Sequence, residues 1–428
     1  MAVDVLLGLQ WGDEGKGKIV DVLAPQYQMV SRFQGGPNAG HTLEFDGIKH
    51  VLHQVPSGVF RKDIKNVVGN GVVLDPVIFA KELEKLDEMS IDFRDNLFVS
   101  KKAQLILPTH RLLDAAYEKS KGDKKIGSTL KGIGPTYQDK TARVGLRVGD
   151  VLCVDFDEKL KAITERHKAI LDWYQFEYNL EPLMTTFKES VEKIKKLKLV
   201  DSEYVTNSEI KDGGRILAEG AQGALLDVDF GSYPFVTSSN TITAGACTGL
   251  GVAPSKINEV FGIFKAYCTR VGSGPFPTEL NDEVGEKIRK EGGEFGATTG
   301  RPRRCGWLDL PALKYSIMLN GTTQLFMTKA DVLSAFSEIF VCTHYEMADG
   351  TTTDQIPYDL GVEGLKPVYR SFKGWDKDLS GITTYEELPA ELHDYVDYLE
   401  KELEVPINIV SVGPDREQTI FKNEVVFA

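Results

Sequence analysis

The segment VDVLLGLQWGDEGKGKIVDVLAP, Val3–Pro25, decides the fold. Val3 to Leu9 is a dense apolar run, interrupted only by Asp4, and reads as a first strand. It ends in the glycine-rich loop GDEGKGK, Gly12–Lys18, and a helix-compatible stretch, KIVDVLA, follows and stops at Pro25. A strand that passes through glycines into a helix opens many nucleotide-binding α/β folds. The loop has the parts of a phosphate cradle. Glycines let main-chain N–H groups approach oxygens, the helix N-terminus adds positive potential, and Lys16 supplies a cation. The Walker A spacing is absent, and Gly17 stands where Ser or Thr would bind magnesium. Asp13 and Glu14 sit in the loop instead, which is costly beside phosphate unless a metal or a proton transfer needs a carboxylate. The plain alternative is a glycine turn without a ligand, and the strand–helix setting disfavours it.

Further along, Met29–Phe33 reads as a second strand that empties into QGGPNAGH, a loop carrying Asn38 and His41. Val67–Val68 and Val72–Leu74 flank a Gly-Asn-Gly turn, and Pro76–Met89 reads as a helix. From Asp155 to about Leu199 the pattern is charged and helical, and its aromatics Trp173, Tyr174, Phe176 and Tyr178 read as packing. Strands are expected again at Arg215–Ala218, Val260–Phe264, Gln324–Thr328 and Ile407–Val410. Short strands alternating with helices and ending in polar loops predict a mainly parallel central sheet flanked by helices, with the site at the carboxyl ends.

Composition narrows the class. The 428 residues carry 50 Lys+Arg against 63 Asp+Glu, a formal charge of −13, which disfavours wrapping nucleic acid or resting on an anionic membrane. The N-terminal run lacks the basic region of a signal peptide, and no apolar stretch approaches the ~18 residues of a membrane span. Five scattered cysteines with no CxxC pair argue against a disulfide framework and a thiolate zinc site. A reducing cytoplasm is the expected compartment.

Seven strings then occur in order: QWGDEGKGK (Gln10–Lys18), GGPNAGHT (Gly35–Thr42), GIGPTYQDKTAR (Gly132–Arg143), EGAQG (Glu219–Gly223), TTGRPRRCGW (Thr298–Trp307), TKADVL and SVGPDR. Together, from Val3 to about Arg416, they resemble the adenylosuccinate synthetase family. The resemblance implies a P-loop-NTPase-like α/β fold and a GTP-dependent ligation of L-aspartate to IMP through a 6-phosphoryl-IMP intermediate, releasing GDP and phosphate. It implies one Mg²⁺ per subunit, bound by Asp13 and the carbonyl of Gly40, and a homodimer.

The resemblance also distributes the residues. Asp13, His41, Lys16 and Gln222 match catalytic positions, with Asp13 the base for ring N1 of IMP and His41 the donor to the transferring phosphoryl group. Gly12, Glu14, Gly15, Lys16, Gly17, Lys18, Gly40, Thr42, Arg303, Lys329, Asp331, Ser411 and Gly413 match GTP-binding positions. Lys329 and Asp331, in TKAD, resemble the guanine-reading tetrad of GTPases. A carboxylate there accepts from the ring N–H and exocyclic amine of guanine, a donor pair adenine lacks. Asp13, Asn38, Ala39, His41, Thr129, Arg143, Gln222, Thr237 and Arg301 match IMP-binding positions, Arg143 reaching the neighbouring subunit's IMP. Ala297, Thr298, Thr299, Gly300, Arg301 and Arg303 match the loop that closes over aspartate, where arginine forks suit carboxylates. Ala297 and Val412 stand where the family commonly has valine and threonine. The expected organisation is one catalytic unit, 1–428: a core of 1–100 and 200–265, a mainly helical insertion 101–199, and a C-terminal α/β portion 266–428. The rival from another class is a GTP-binding regulatory switch, for which the arginine cluster has no use.

Overall fold

The computed structural model describes residues 3–38, 40–45, 48–296 and 300–427. The first strand is Val3–Gly8 and the helix behind the glycine loop is Lys16–Leu23. Val3, Val5 and Leu7 pack into one apolar cluster and Leu6 into another. Burial on both faces is what a strand covered on both sides by helices requires, and it explains the unbroken apolar run. Asp4 is tolerated inside because Tyr27 Oη donates to one carboxylate oxygen (2.7 Å) and Glu259 N to the other (3.0 Å).

Ten strands among the described residues form the central sheet. Their spatial order is Thr419–Phe421, Ile407–Ser411, Gln324–Thr328, Ile257–Lys265, Val3–Gly8, Ile216–Glu219, Met29–Arg32, Lys65–Val68, Leu97–Ser100 and Lys198–Val200. Neighbours run parallel except Thr419–Phe421, which is antiparallel to Ile407–Ser411. The loops after the nine parallel strands therefore open on one side of the sheet, where several can share a site.

The strands expected from sequence form within a few residues of their expected bounds. Val73–Leu74 leaves the central sheet and pairs with Gln104–Leu105. A turn intervenes: Gly69 N still donates to Arg32 O (2.8 Å), but Val72 N donates to Gly69 O (3.2 Å) and Val73 N to Gly35 O (2.9 Å), which redirects the chain after Lys65–Val68. A smaller sheet, built around the antiparallel pair Glu338–Glu346 and Lys366–Lys373, was not foreseen.

The charged middle of the chain forms helices Pro108–Ser120, Ile133–Ala142, Phe156–Trp173 and Glu181–Ile194. Tyr174, Phe176 and Tyr178 pack against Leu113, Ala116 and Leu171, as expected of core aromatics. Trp173 does not; it is 75% exposed at the helix end. Helix Ile133–Ala142 is pinned by Asp139, whose Oδ2 accepts from Nε2 of both His110 and His167 (2.8 Å each). Leu107 N donates to His110 Nδ1 (2.9 Å), so the proton of this ring sits on Nε2. A metal cannot use that nitrogen without displacing the proton, so the cluster is a hydrogen-bonded anchor. Among the described residues no helix is long and apolar enough to cross a membrane.

Candidate active site

The loop after the first strand turns tightly, with positive φ at Gly12 (89°), Asp13 (59°) and Gly15 (92°). Glu14 folds under it and is fully buried. Its carboxylate accepts from Gln10 N (3.1 Å), Gly12 N (2.8 Å) and Lys16 Nζ (2.6 Å). Glu14 thus acts as an internal anion that shapes the cradle, which resolves the cost of an acid beside phosphate. Gly8 is glycine for the same reason, since a Cβ there would lie 2.1 Å from Glu14 Oε2. Lys16 also donates to the Gln222 carbonyl, and Thr328 Oγ1 to the Glu14 carbonyl (2.7 Å), which ties the loop to two neighbouring strand ends.

Asp13 projects the other way. Its side chain is one-third exposed and its Oδ2 lies 2.8 Å from Arg303 Nε. His41 opens the hairpin His41–Phe45/Ile48–Leu52 and lies against the start of the helix, where a Cβ on Gly17 would be 3.2 Å from His41 Cβ. His41 Nδ1 meets Glu219 Oε1 at 2.5 Å, and Ser57 gives Glu219 two more hydrogen bonds, from N (2.9 Å) and Oγ (2.7 Å). Burial would raise the Glu219 carboxyl, but His41, Arg32 and the Ser57 amide outweigh it and hold it at about 2. Burial, reinforced by Arg32, lowers the His41 imidazole. With Nδ1 taken by Glu219, His41 Nε2 is buried and has no hydrogen-bond partner among the described residues.

Gln222 follows on the next strand end in a left-handed conformation (φ 60°), and its Nε2 donates to Asn38 Oδ1 (3.2 Å), so these two residues meet. Thr237 is half-buried, with its N–H bound to the Leu226 carbonyl (2.9 Å). Thr129 is exposed on a segment held by helix Pro108–Ser120: Glu118 accepts from Gly127 N and Ser128 N, and Asp114 from Ser128 Oγ and Gly132 N. Arg301 is exposed and comes beside Gly127, its Nη1 lying 3.6 Å from where a Cβ would be. Arg143 is exposed at the left-handed end of helix Ile133–Ala142. Gly40 and Thr42 flank His41, half-buried, and Gly300 N donates to the Gly296 carbonyl (2.8 Å). Ala39, Ala297, Thr298 and Thr299 lie outside the described residues.

At the far end of the cradle, Lys18 Nζ donates to Ser411 Oγ (2.8 Å), Gly413 O (2.8 Å) and Gln418 O (2.9 Å). Lys18 therefore joins the phosphate helix to the loop after Ile407–Ser411, and burial lowers its ammonium to about 8. Lys329, in a left-handed conformation, donates to Gly292 O (2.9 Å). Asp331 Oδ1 is buried with no hydrogen-bond partner among the described residues, and burial raises this carboxyl.

Three residues that matter here escaped the sequence reading: Glu219, Lys265 and Glu294. Glu219 and Lys265 close apolar runs and Glu294 follows a glycine pair, and burial of a charge is invisible in a single sequence. The only available signal was Glu219, an acid ending the strand Ile216–Glu219 just before a glycine loop.

A phosphate cradle, an acid inside it, a carboxylate-held imidazole beside it and a buried carboxylate with one unpartnered oxygen beyond it define a nucleotide-dependent enzyme that moves a phosphoryl group. Its relatives agree. The family model described as adenylosuccinate synthetase matches residues 5–420. The adenylosuccinate synthetase of Flavobacterium johnsoniae is 62% identical over 99% of this chain and 100% of its own, and that of Cytophaga hutchinsonii 61% over 99% of each. The structure of fully ligated adenylosuccinate synthetase from Plasmodium falciparum is 38% identical, covers 99% of this chain and 100% of its own, and superposes with a TM-score of 0.92. The chain belongs to the adenylosuccinate synthetase family. It is a GTP-dependent ligase acting in purine biosynthesis on IMP and L-aspartate, and the regulatory-switch reading has no support.

Proposed function

We propose that Asp13, His41 and Glu219 carry the phosphoryl-transfer half of the reaction and Arg301 and Arg303 orient the aspartate. The oxygen on C6 of IMP is amide-like and leaves poorly. Asp13 takes the proton from N1, O6 attacks the γ-phosphorus of GTP, and GDP departs. The amine of aspartate then adds to C6 and phosphate leaves, giving adenylosuccinate. The carrying observation is the unpartnered, buried His41 Nε2 beside the phosphate loop, with Glu219 holding the opposite nitrogen. With Nδ1–H held by the Glu219 carboxylate, uptake of a proton by the ring as charge builds on the transferring group gives Nε2–H as a donor to it. Asp331 Oδ1, also buried and unpartnered, supports the reading of guanine, and Lys18 supports it by fixing Ser411 and Gly413. Asn38, Gln222, Thr237 and Thr129 would hold IMP, with Lys16 steadying the loop.

The donor set suits Mg²⁺. Asp13 offers a hard, partly exposed oxygen while Glu14 is committed to the loop, and the Gly40 carbonyl would complete the protein's share. When bound, Mg²⁺ neutralises charge on the triphosphate oxygens. The core, helical segment and C-terminal portion share one sheet and work in this reading as one catalytic unit in the cytoplasm. Arg143, exposed at its helix end, serves the IMP site of a second copy in a homodimer.

Asp13→Ala tests the scheme. It should lower kcat by about two to four orders of magnitude, with the melting temperature preserved, because the base is lost at a partly exposed position. Full turnover in that variant would overturn the assignment.

A further inference from the structure

Glu294 is fully buried, as is Lys265. Glu294 Oε1 accepts from Lys265 Nζ (2.8 Å) and Tyr267 Oη (2.5 Å), and Oε2 from Arg303 Nη1 (2.5 Å). The main chains are joined as well, with Arg303 N donating to the Glu294 carbonyl (2.9 Å). On the other side, Gln10 of the phosphate loop donates through Nε2 to the carbonyls of Lys265 (3.3 Å) and Tyr267 (3.0 Å) and accepts from Lys265 N (3.0 Å). Arg303 Nε returns to the loop at Asp13 Oδ2, 2.8 Å away. These contacts form a closed ring that leaves the phosphate loop at Gln10 and re-enters it at Asp13.

Two cations, Lys265 and Arg303, share the single buried carboxylate of Glu294. Glu294 therefore orients the guanidinium without neutralising both charges, and Asp13 supplies the remaining negative partner. A guanidinium fixed along one edge loses less side-chain freedom when its other edge meets a ligand carboxylate. We propose that Glu294 is a positioning residue for the amino-acid substrate, setting Arg303 so that the edge now on Asp13 is the one offered to a carboxylate of L-aspartate. The proposal rests on the reading of Arg303 as an aspartate contact. Tyr267 acts with Glu294, limiting how the carboxylate rotates.

The test is steady-state kinetics on the full-length protein with each substrate varied in turn. Glu294→Gln turns an acceptor edge into a donor facing Arg303, and should raise the KM for aspartate about tenfold, the scale of one charge-assisted hydrogen bond. Tyr267→Phe keeps every charge and should raise it about threefold. In both, KM for IMP should stay within about twofold, whereas a merely structural role would weaken the binding of every substrate together. Arg303→Leu separates the two claims. If it raises the aspartate KM while Tyr267→Phe and Glu294→Gln leave it unchanged, Glu294 has no positioning role. If Arg303→Leu itself leaves that KM unchanged, the aspartate site is misplaced and the inference falls with it. Should Glu294→Gln fail to fold, Tyr267→Phe alone decides.

Discussion

His41 has one ring nitrogen to offer a ligand because Glu219 takes the other. Glu219 is in turn fixed by Ser57 and kept ionised, so the orientation of the imidazole is set before any substrate arrives. Glu219→Gln should therefore lower kcat by about 10- to 100-fold, the usual cost of losing a carboxylate behind a catalytic histidine, while KM for GTP moves little. A rise in KM with kcat intact would contradict this role. Asp13 and His41, which our scheme places at the chemistry, stand out in the sequence because they lie in glycine loops, where an acid or an imidazole has no packing reason to be. Glu219 and Glu294 were not legible, since their roles depend on partners 178 and 29 residues away in the chain, His41 and Lys265.

The phosphate loop and the helices behind it make separate demands on sequence. Gly8→Ala places a methyl 2.1 Å from Glu14 Oε2 and should cost more than about 2 kcal/mol, with loss of GTP binding. Gly15→Ala meets nothing closer than Thr328 Cγ2 at 3.8 Å and carries only the strain of φ +92°, about 1 kcal/mol. Urea unfolding that ranked the two equally would show that Glu14 does not shape the loop. The anchor of helix Ile133–Ala142 predicts a pH dependence. Burial, with His167 beside it, lowers the His110 imidazole despite Asp139. A histidine whose folded pKa is depressed contributes stability that is fully present above its unfolded pKa of ~6.5 and is lost as pH falls towards the folded value. The stability gap between the wild type and His110→Gln should accordingly narrow on going from pH 7 to 5, by up to about 1.4 kcal/mol per pH unit. A gap that widened would reverse the sign of this argument. Apolar runs bounded by glycine and proline made most strands readable. The pairing of Val73–Leu74 with Gln104–Leu105 was not, because the partner of a strand is a tertiary fact.

Across the whole molecule, the order of the sheet was beyond the sequence. The first strand lies between Ile216–Glu219 and Ile257–Lys265, partners more than two hundred residues away, and apolar periodicity carries no information about which strands meet. The charge of −13 did not describe the cleft, where cations meet internal carboxylates: Lys16 with Glu14, Lys265 and Arg303 together with Glu294, and Arg303 again with Asp13. In our scheme anionic ligands enter by replacing Asp13 on Arg303 or by meeting main-chain donors of the phosphate loop. Assembly adds one more site residue in our scheme. Arg143→Leu should raise KM for IMP about tenfold, as one lost phosphate contact would, while sedimentation still shows a dimer. An unchanged IMP KM would remove Arg143 from the site. The most direct test is reconstitution of the purified protein with GTP, IMP, L-aspartate and Mg²⁺, omitting each in turn while phosphate and adenylosuccinate are followed. The two products should form in equal amounts and only in the complete mixture. Phosphate released from GTP without IMP or aspartate, and no adenylosuccinate in the full mixture, would contradict the account.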